Sequence, residues 1–318
     1  MSRWVELQAP AKINLRFRVL AREASGYHQV ETVLGALDWG DRIRVEWDPS
    51  GAGVGLQVTG PEADGTGPEE ENLASRAARS FLAASSSGGG VRISLEKVIP
   101  AGAGLGGGSA DAGLVLRALN ELVPEPLARD RLLKVAGGLG ADVPFFLSPT
   151  PFALGWGRGD RILSLEPPSP APVLLALPVA RVETRWAYGL LGGEGERRVV
   201  HPGGFLFEPG ELSQWQALAT LATNDFEVVI LPRFPVVGDV SKALAETGPI
   251  LSLLSGSGSA LFAVYSQEAE AQEARTELER RFPDVRFHST WTRSRFPSVE
   301  AREEERTGAG LNPEGGEG

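Results

Sequence analysis

Pro100-Ala101-Gly102-Ala103-Gly104-Leu105-Gly106-Gly107-Gly108-Ser109-Ala110-Asp111-Ala112 lies between an alternating, strand-like run and a helix-like run. The spacing predicts a glycine-rich turn opening onto a helix N-terminus. Such a turn suits a phosphate: glycines lacking Cβ let backbone amides approach an anion, and the unpaired amides of the first helical turn add partial positive charge. The expected guest is a nucleoside triphosphate. Ser109 is the expected helix N-cap and a further contact for the β/γ oxygens or Mg2+. There is no Gly-Lys-Ser/Thr ending of the Walker type, and no Gly-x-Gly-x-x-Gly with a suitably spaced acid. Amides rather than side chains should therefore form the cradle.

Working outward, Val91, Ile93 and Leu95 alternate with Arg92, Ser94 and Glu96, a strand feeding the loop. Downstream, Ala112, Val115, Leu116 and Leu119 make a helical stripe. Upstream, a helix begins at Asn72, with Leu73, Ala77, Phe81 and Ala74, Ala78, Leu82 on one broad face, and residues 48–71 form a Gly-, Pro- and acid-rich excursion around a strand at 55–59. Val5 to Leu20 reads as two short apolar runs, the second a half-buried strand, and 30–38 with 43–45 read as further strands. A helix over 127–139 precedes Asp142 and a glycine-punctuated strand pair through Leu165.

Pro167-Pro168-Ser169-Pro170-Ala171-Pro172 reads as a stiff connector. Beyond it come strands at 173–177, 250–254, 260–265 and 285–290, and helices at 211–222, 240–246 and 267–281. After Pro297 the chain turns acidic and glycine-rich. The expected organisation is an N-terminal nucleotide-binding lobe over 1–166, a C-terminal substrate lobe over 167–296 and a disordered tail over 297–318.

Composition narrows the chemistry. The absence of cysteine excludes disulfides and thiolate chemistry, and three scattered histidines argue against a histidine metal centre. A net charge of −10 disfavours nucleic acid as a partner, because that affinity comes from clustered Lys and Arg. No run approaches the ~20 apolar residues of a membrane span, so a cytoplasmic protein with no membrane partner is expected. Only Lys12, Lys97, Lys134 and Lys242 are lysines among 31 basic residues, which draws attention to Lys12.

Several segments then gain weight together: Pro10-Ala11-Lys12-Ile13-Asn14-Leu15, Gly26-Tyr27-His28, Asp38-Trp39-Gly40-Asp41, the glycine loop, Leu139-Gly140-Ala141-Asp142-Val143-Pro144-Phe145 and Gly256-Ser257-Gly258-Ser259. In this order they make the chain similar to the GHMP small-molecule kinases from about residue 9 to 290. The resemblance implies an α+β fold of two lobes, the first like ribosomal protein S5 domain 2 and the second an α/β plait. It implies ATP held by Pro100, Gly102, Gly104, Leu105, Gly106, Gly107, Gly108, Ser109 and Ala110, with Asn72 near adenine. Mg2+ would arrive with ATP, without a metal site built from side chains. Asp142 would be the general base on the acceptor hydroxyl and Lys12 would stabilise charge beside it.

Within the family the match is nearest to the branch whose acceptor is a methylerythritol alcohol carrying cytidine diphosphate. That implies Tyr27, His28 and Tyr188 at the cytosine, with Trp186 competing for the stack. Asn14 and Thr184 would lie near the polyol or its diphosphate, and Gly256 and Ser257 would close on the phosphates. Asn224-Asp225-Phe226-Glu227 is assigned to structure. From the residues alone, other readings stand beside these. Asp142 could cap the turn before Pro144, Lys12 could be a strand-edge charge, Tyr188 could be core, Asn72 an N-cap and Gly256–Ser259 a plain turn. Rival functions are a GHMP kinase for homoserine, mevalonate or a sugar, and a catalytically silent nucleotide-binding regulator. The sequence leaves the oligomeric state open.

Overall fold

A computed structural model describes residues 2–191 and 210–303. β1 (Arg3–Arg22) and β2 (His28–Asp48) form one long antiparallel ribbon instead of the separate short segments expected, because Pro10 sits where the register shifts and costs no ladder continuity. β3 (Val54–Thr59), α1 (Leu73–Ala84) and β4 (Gly90–Glu96) follow, then α2 (Gly107–Leu122), α3 (Arg129–Leu139), a short 3-10 turn at Val143–Leu147, and the hairpin β5 (Phe152–Gly157) and β6 (Arg161–Ser164). The chain continues through β7 (Pro172–Leu177), α4 (Thr184–Leu191), α5 (Trp215–Leu221), β8 (Thr223–Asn224), α6 (Glu227–Ile230) and α7 (Pro235–Glu246). It closes with β9 (Leu251–Leu254), β10 (Leu261–Val264), α8 (Glu268–Arg281), β11 (Arg286–Trp291) and β12 (Arg302–Glu303).

Two sheets result. The larger runs β12-β1-β2-β4-β3, with β5 and β6 continuing from β2 and β8 parallel to β1, and the smaller runs β11-β7-β10-β9. Apolar cores alternate with these layers. One cluster packs Val5, Leu7, Ile43 and Val45 against α1, α2 and α3. A second, including Ile13, Leu15, Val33, Val173, Leu175 and Phe262, fills the space between the sheets. The third packs Leu174, Ala176, Leu261 and Ala263 against α7 and α8. β7 is buried on both faces, which is why Pro172–Leu177 is continuously apolar.

Three expectations are corrected. The helix expected over 211–222 is a 3-10 turn (Glu211–Ser213) and α5, broken at the extended Gln214. The helix expected from 240 begins at Pro235, where the missing proline N–H costs nothing in the first turn. The tail does not start at 297. Val299 and Ala301 pack on the first core, Arg302 and Glu303 pair with Trp4 and Arg3, and the guanidinium groups of Arg44 and Arg302 lie 3.9 Å and 5.0 Å from the centre of the Trp4 ring. Residues 304–318 lie outside the described residues.

Candidate active site

The register shift between Pro10 and Lys12 decides where the chemistry sits. Before it, Val5, Leu7 and Ala9 pair with Val45, Ile43 and Asp41; after it, Lys12 and Asn14 pair with Ala36 and Leu34. Paired residues share a face, and Ala36 and Leu34 belong to the helix-side core with Ile43 and Val45. The bulge thus turns Lys12 and Asn14 onto the face where α2 begins, whereas uninterrupted alternation would have pointed them between the sheets. A second shift, between Asn14 and Arg16, pairs Phe17 with Thr32, so that Phe17, Thr32, Val30 and His28 line the same cleft.

The glycine loop forms the opposite wall. Gly102, Gly104 and Gly106 have φ of +72°, +82° and +70°, the left-handed region open to glycine. A Cβ on Gly104 would stand 2.1 Å from the Ser255 carbonyl oxygen, and one on Gly106 would stand 2.8 Å from Lys12 Cγ. Gly106, in the left-handed conformation, is the N-cap of α2, which corrects the assignment of that role to Ser109. Ser109 instead lies in the first turn, with Gly107 and Gly108, where amides have no intrahelical acceptor. Ala110 is also corrected: its side chain is buried and its N–H donates to the Gly106 carbonyl at 2.8 Å, so it offers the cleft nothing.

Lys12 Nζ donates to Asn14 Oδ1 at 2.6 Å and to the Gly104 carbonyl at 2.7 Å, and lies 3.6 Å from Asp142 Oδ2. Its side chain is 4% exposed and that of Asp142 33%, so the carboxylate faces the opening. Asp142 occupies the N-cap position of the 143–147 turn but makes no side-chain cap bond, which leaves its oxygens available to the cleft. Asn14 is buried behind Lys12 and donates to Thr32 Oγ1 at 2.8 Å. The 255–259 turn reaches across from the second sheet. Ser255 Oγ donates to the Gly104 carbonyl at 2.9 Å, the Ala260 amide donates to the Ala103 carbonyl at 3.0 Å, and Ser257 Oγ meets Thr184 Oγ1 at 3.1 Å. Asn224 braces that turn by donating to the Leu254 and Gly256 carbonyls at 2.7 and 2.8 Å.

At the far end, the His28 and Tyr188 rings stack with centroids 4.8 Å apart and planes inclined by 18°. Burial, with the charge of Arg22, lowers the His28 pKa and keeps the ring neutral, able to donate and accept. Burial, with the Asp142 carboxylate, raises that of the Tyr188 phenol. Tyr27 stands at the rim with the Arg158 guanidinium 4.2 Å above its ring. Trp186 does not line the cleft; it packs edge-on to Phe234 at 6.0 Å. Asn72 lines the cleft and also caps α1, its Oδ1 accepting from the Ala74 amide at 2.9 Å.

The cleft therefore gathers Lys12, Tyr27, His28, Asn72, Pro100, Gly102, Gly104–Ser109, Asp142, Thr184, Tyr188, Gly256 and Ser257. Its volume of about 1190 Å³ exceeds the ~300–1,000 Å³ of a typical single-ligand pocket, which leaves room for two ligands. Sequence reasoning missed Lys97 and Asp111, which also reach its wall. The signal was present: Lys97 is one of the few lysines and lies three positions before Pro100, where the loop begins. Among the described residues no three His, Asp or Glu side chains stand together as metal ligands.

Comparison with known proteins agrees with this geometry. Residues 72–149 match the GHMP kinases N terminal domain and residues 210–284 the GHMP kinases C terminal domain. A 4-diphosphocytidyl-2-C-methyl-D-erythritol kinase of Citrifermentans bemidjiense is 38% identical over 275 residues, covering 86% of this chain and 94% of that protein. A crystal structure of 4-(cytidine 5'-diphospho)-2C-methyl-D-erythritol kinase superposes with a TM-score of 0.72 at 35% identity, over 90% of this chain and 98% of that one. A homoserine kinase of Cytophaga hutchinsonii, at 18% identity and a TM-score of 0.68 over 94% of this chain and 97% of that one, shares the fold. Fold and cleft together place the protein in the GHMP kinase class of ATP-dependent small-molecule kinases. Within that class, the chain belongs to the 4-diphosphocytidyl-2-C-methyl-D-erythritol kinase family.

Proposed function

We propose that this chain transfers the γ-phosphoryl group of ATP to the 2-hydroxyl of 4-diphosphocytidyl-2-C-methyl-D-erythritol in the non-mevalonate isoprenoid pathway, giving the 2-phosphate and ADP. The observation that carries this reading is the Lys12–Asp142 pair, 3.6 Å apart, in one cleft with the glycine loop and the His28–Tyr188 stack. Amides of Gly107, Gly108 and Ser109, at the positive end of α2, would receive the polyphosphate. The neutral His28 imidazole would read the edge of cytosine, with Tyr188 and Tyr27 supplying aromatic faces. Thr184, Ser257 and Gly256 line the same cleft and would meet the substrate's own phosphates and polyol.

In the transfer step, the acceptor oxygen forms the new P–O bond as the bond between the γ-phosphorus and the ADP oxygen breaks, and Asp142 takes the hydroxyl proton. Lys12 holds that carboxylate in place and offsets negative charge near the transferring group. Mg2+ would enter on the ATP phosphates. The described side chains offer no ligand set that fits a resident cation, so no step is assigned to one. The cytoplasm is the proposed setting, and no described helix is long and apolar enough to cross a membrane.

The deciding experiment incubates the protein with ATP, Mg2+ and the cytidyl substrate and locates the new phosphate by ³¹P spectroscopy. A phosphomonoester on the 2-oxygen is expected. ATP consumption with homoserine, mevalonate or a sugar, and none with the cytidyl alcohol, would transfer the reading to another GHMP kinase. No phosphoryl transfer to any acceptor would favour the silent regulator. Inhibition by CDP that is not competitive with ATP is the second expected sign.

A further inference from the structure

Three charged side chains that the proposed chemistry does not use are buried beneath the glycine loop. The side chains of Asp41, Lys97 and Asp111 are 0%, 4% and 3% exposed. The Lys97 ammonium donates to Asp41 Oδ2, and to Asp111 Oδ2 at 2.8 Å. The second oxygen of Asp41 accepts the amides of Val98 and Ile99 at 2.6 and 2.9 Å. Lys97 is the first residue after β4 and Asp111 lies in the second turn of α2, so the trio ties the entry of the loop to its exit. A Cβ on Gly107, the first residue of α2, would stand 3.2 Å from Lys97 Nζ, which puts the ammonium against the helix start.

We propose that Lys97 is a positioning residue for the nucleotide: held between Asp41 and Asp111, it fixes the span of the phosphate loop so that the amides of Gly107, Gly108 and Ser109 converge on one anion. The inference rests on the ATP reading given above. A buried ion trio of this kind adds little stability over apolar residues of the same volume; what it supplies is directional geometry. Burial works against the Lys97 ammonium, but Asp111 and Asp41 outweigh it and raise its pKa, so it stays a cation. Asp111 is the adjustable member. Its Oδ1 has no hydrogen-bond partner, and burial, opposed by Lys97 and reinforced by Asp41, pushes the carboxyl up to about 7.

The charged groups facing Asp111 are Lys97 from the end of β4 and Asp41 from β2. The other elements packed on α2 present mostly apolar buried faces: Ala74, Ala77, Ala78 and Phe81 of α1 beside the Ser75 hydroxyl, Leu132 and Ala136 of α3, Val143 and Phe146, and Val5, Leu7 and Ala9 of β1, whose charged groups are Lys12 against Gly106 at the helix start and Arg3 on the Leu122 carbonyl at its far end. With Asp111 ionised the trio carries one excess negative charge under a phosphate site; with it protonated, none. Nucleotide affinity should therefore fall as Asp111 ionises.

The test measures KM for ATP and for the cytidyl substrate separately, on the full chain. Lys97→Met is expected to raise KM for ATP about 10-fold while KM for the cytidyl substrate changes less than about 2-fold. Asp111→Asn keeps an acceptor for Lys97 without the charge. The wild-type to variant ratio of KM for ATP, in which the titration of ATP itself cancels, is expected to rise about 3-fold or more from about pH 6 to pH 8. A folded Lys97→Met protein with unchanged KM for ATP would overturn the proposal. If that variant does not fold, a flat Asp111→Asn ratio overturns it and a rising one supports it. A wild-type protein that neither binds nor turns over ATP would remove the functional reading as well, whereas an active wild type with indistinguishable variants sinks the positioning role alone.

Discussion

Lys12 donates to Asn14 and to the Gly104 carbonyl and pairs ionically with Asp142 at 3.6 Å, and so works as a strut between β1, the glycine loop and the segment that carries Asp142. Asp142 is the more exposed partner and the one free to receive a proton. Asp142→Asn should fold and bind both substrates yet lose kcat by about 10²-fold, the lower end of general-base assistance, because a loose phosphoryl transition state needs its base late. Near-normal turnover in a steady-state assay would take Asp142 out of the mechanism. Asp111 gives a second prediction. Its folded pKa, about 7, lies above the ordinary aspartate value of 3.8, so the folded state binds the extra proton across that window. The stability this confers is fully present below pH ~4 and is lost as pH rises through ~7. Asp111→Asn should flatten urea midpoints across that range, and an unchanged slope would contradict the assignment.

At the level of elements, the loop and α2 illustrate how glycine is used for two different reasons. Gly104 combines φ of +82° with a Cβ position 2.1 Å from a backbone oxygen of the 255–259 turn, so Gly104→Ala must push two loops apart. We expect a loss of about 1–3 kcal/mol in stability together with weaker ATP binding, read by thermal melting and KM. Gly137, inside α3, has nothing within 4 Å of its Cβ position and no positive φ. Gly137→Ala should stabilise the protein by about 0.5–1 kcal/mol through helix propensity and leave KM for ATP unchanged. A Gly104→Ala protein as stable as wild type would show that the loop can move away from the turn.

At the scale of the whole molecule, the proposed places of both ligands fall in one cleft between layers. Its glycine-loop wall belongs to the larger sheet and α2, while Thr184, Tyr188, Gly256 and Ser257 come from the part built around the smaller sheet. ADP and CDP should therefore bind together and their stabilisations should add, each worth about 2.7 kcal/mol at a hundred times its Kd. A melting scan in which saturating CDP gives no further rise over ADP alone would mean that they share one subsite. The same layering accounts for the expectations that needed correction. Gly106 ends up as the cap because the left-handed turn arrives before Ser109, and residues 299–303 are ordered because Trp4 and the edge of β1 offer them a surface. Neither fact has a local signature in a stretch that reads as polar and glycine-rich.

What the sequence determined by itself was local or strongly patterned: the strand, glycine turn and helix around Gly102–Ser109, the helix opening at Asn72, the apolar strands, and the ordered motifs that pick out Lys12, His28 and Asp142. Short-range sterics, capping and alternation fix these within a few residues. What only the tertiary structure decided was which side chains meet. The Pro10–Lys12 bulge turned Lys12 onto the helix side of the sheet, Tyr188 rather than Trp186 reached His28, and Asp41, Lys97 and Asp111 converged from three elements. Each of those outcomes depends on the phase of a strand or the rotation of a helix relative to partners far away in the chain, and a one-residue shift reverses a side chain's direction without altering the pattern of residues that encodes the strand.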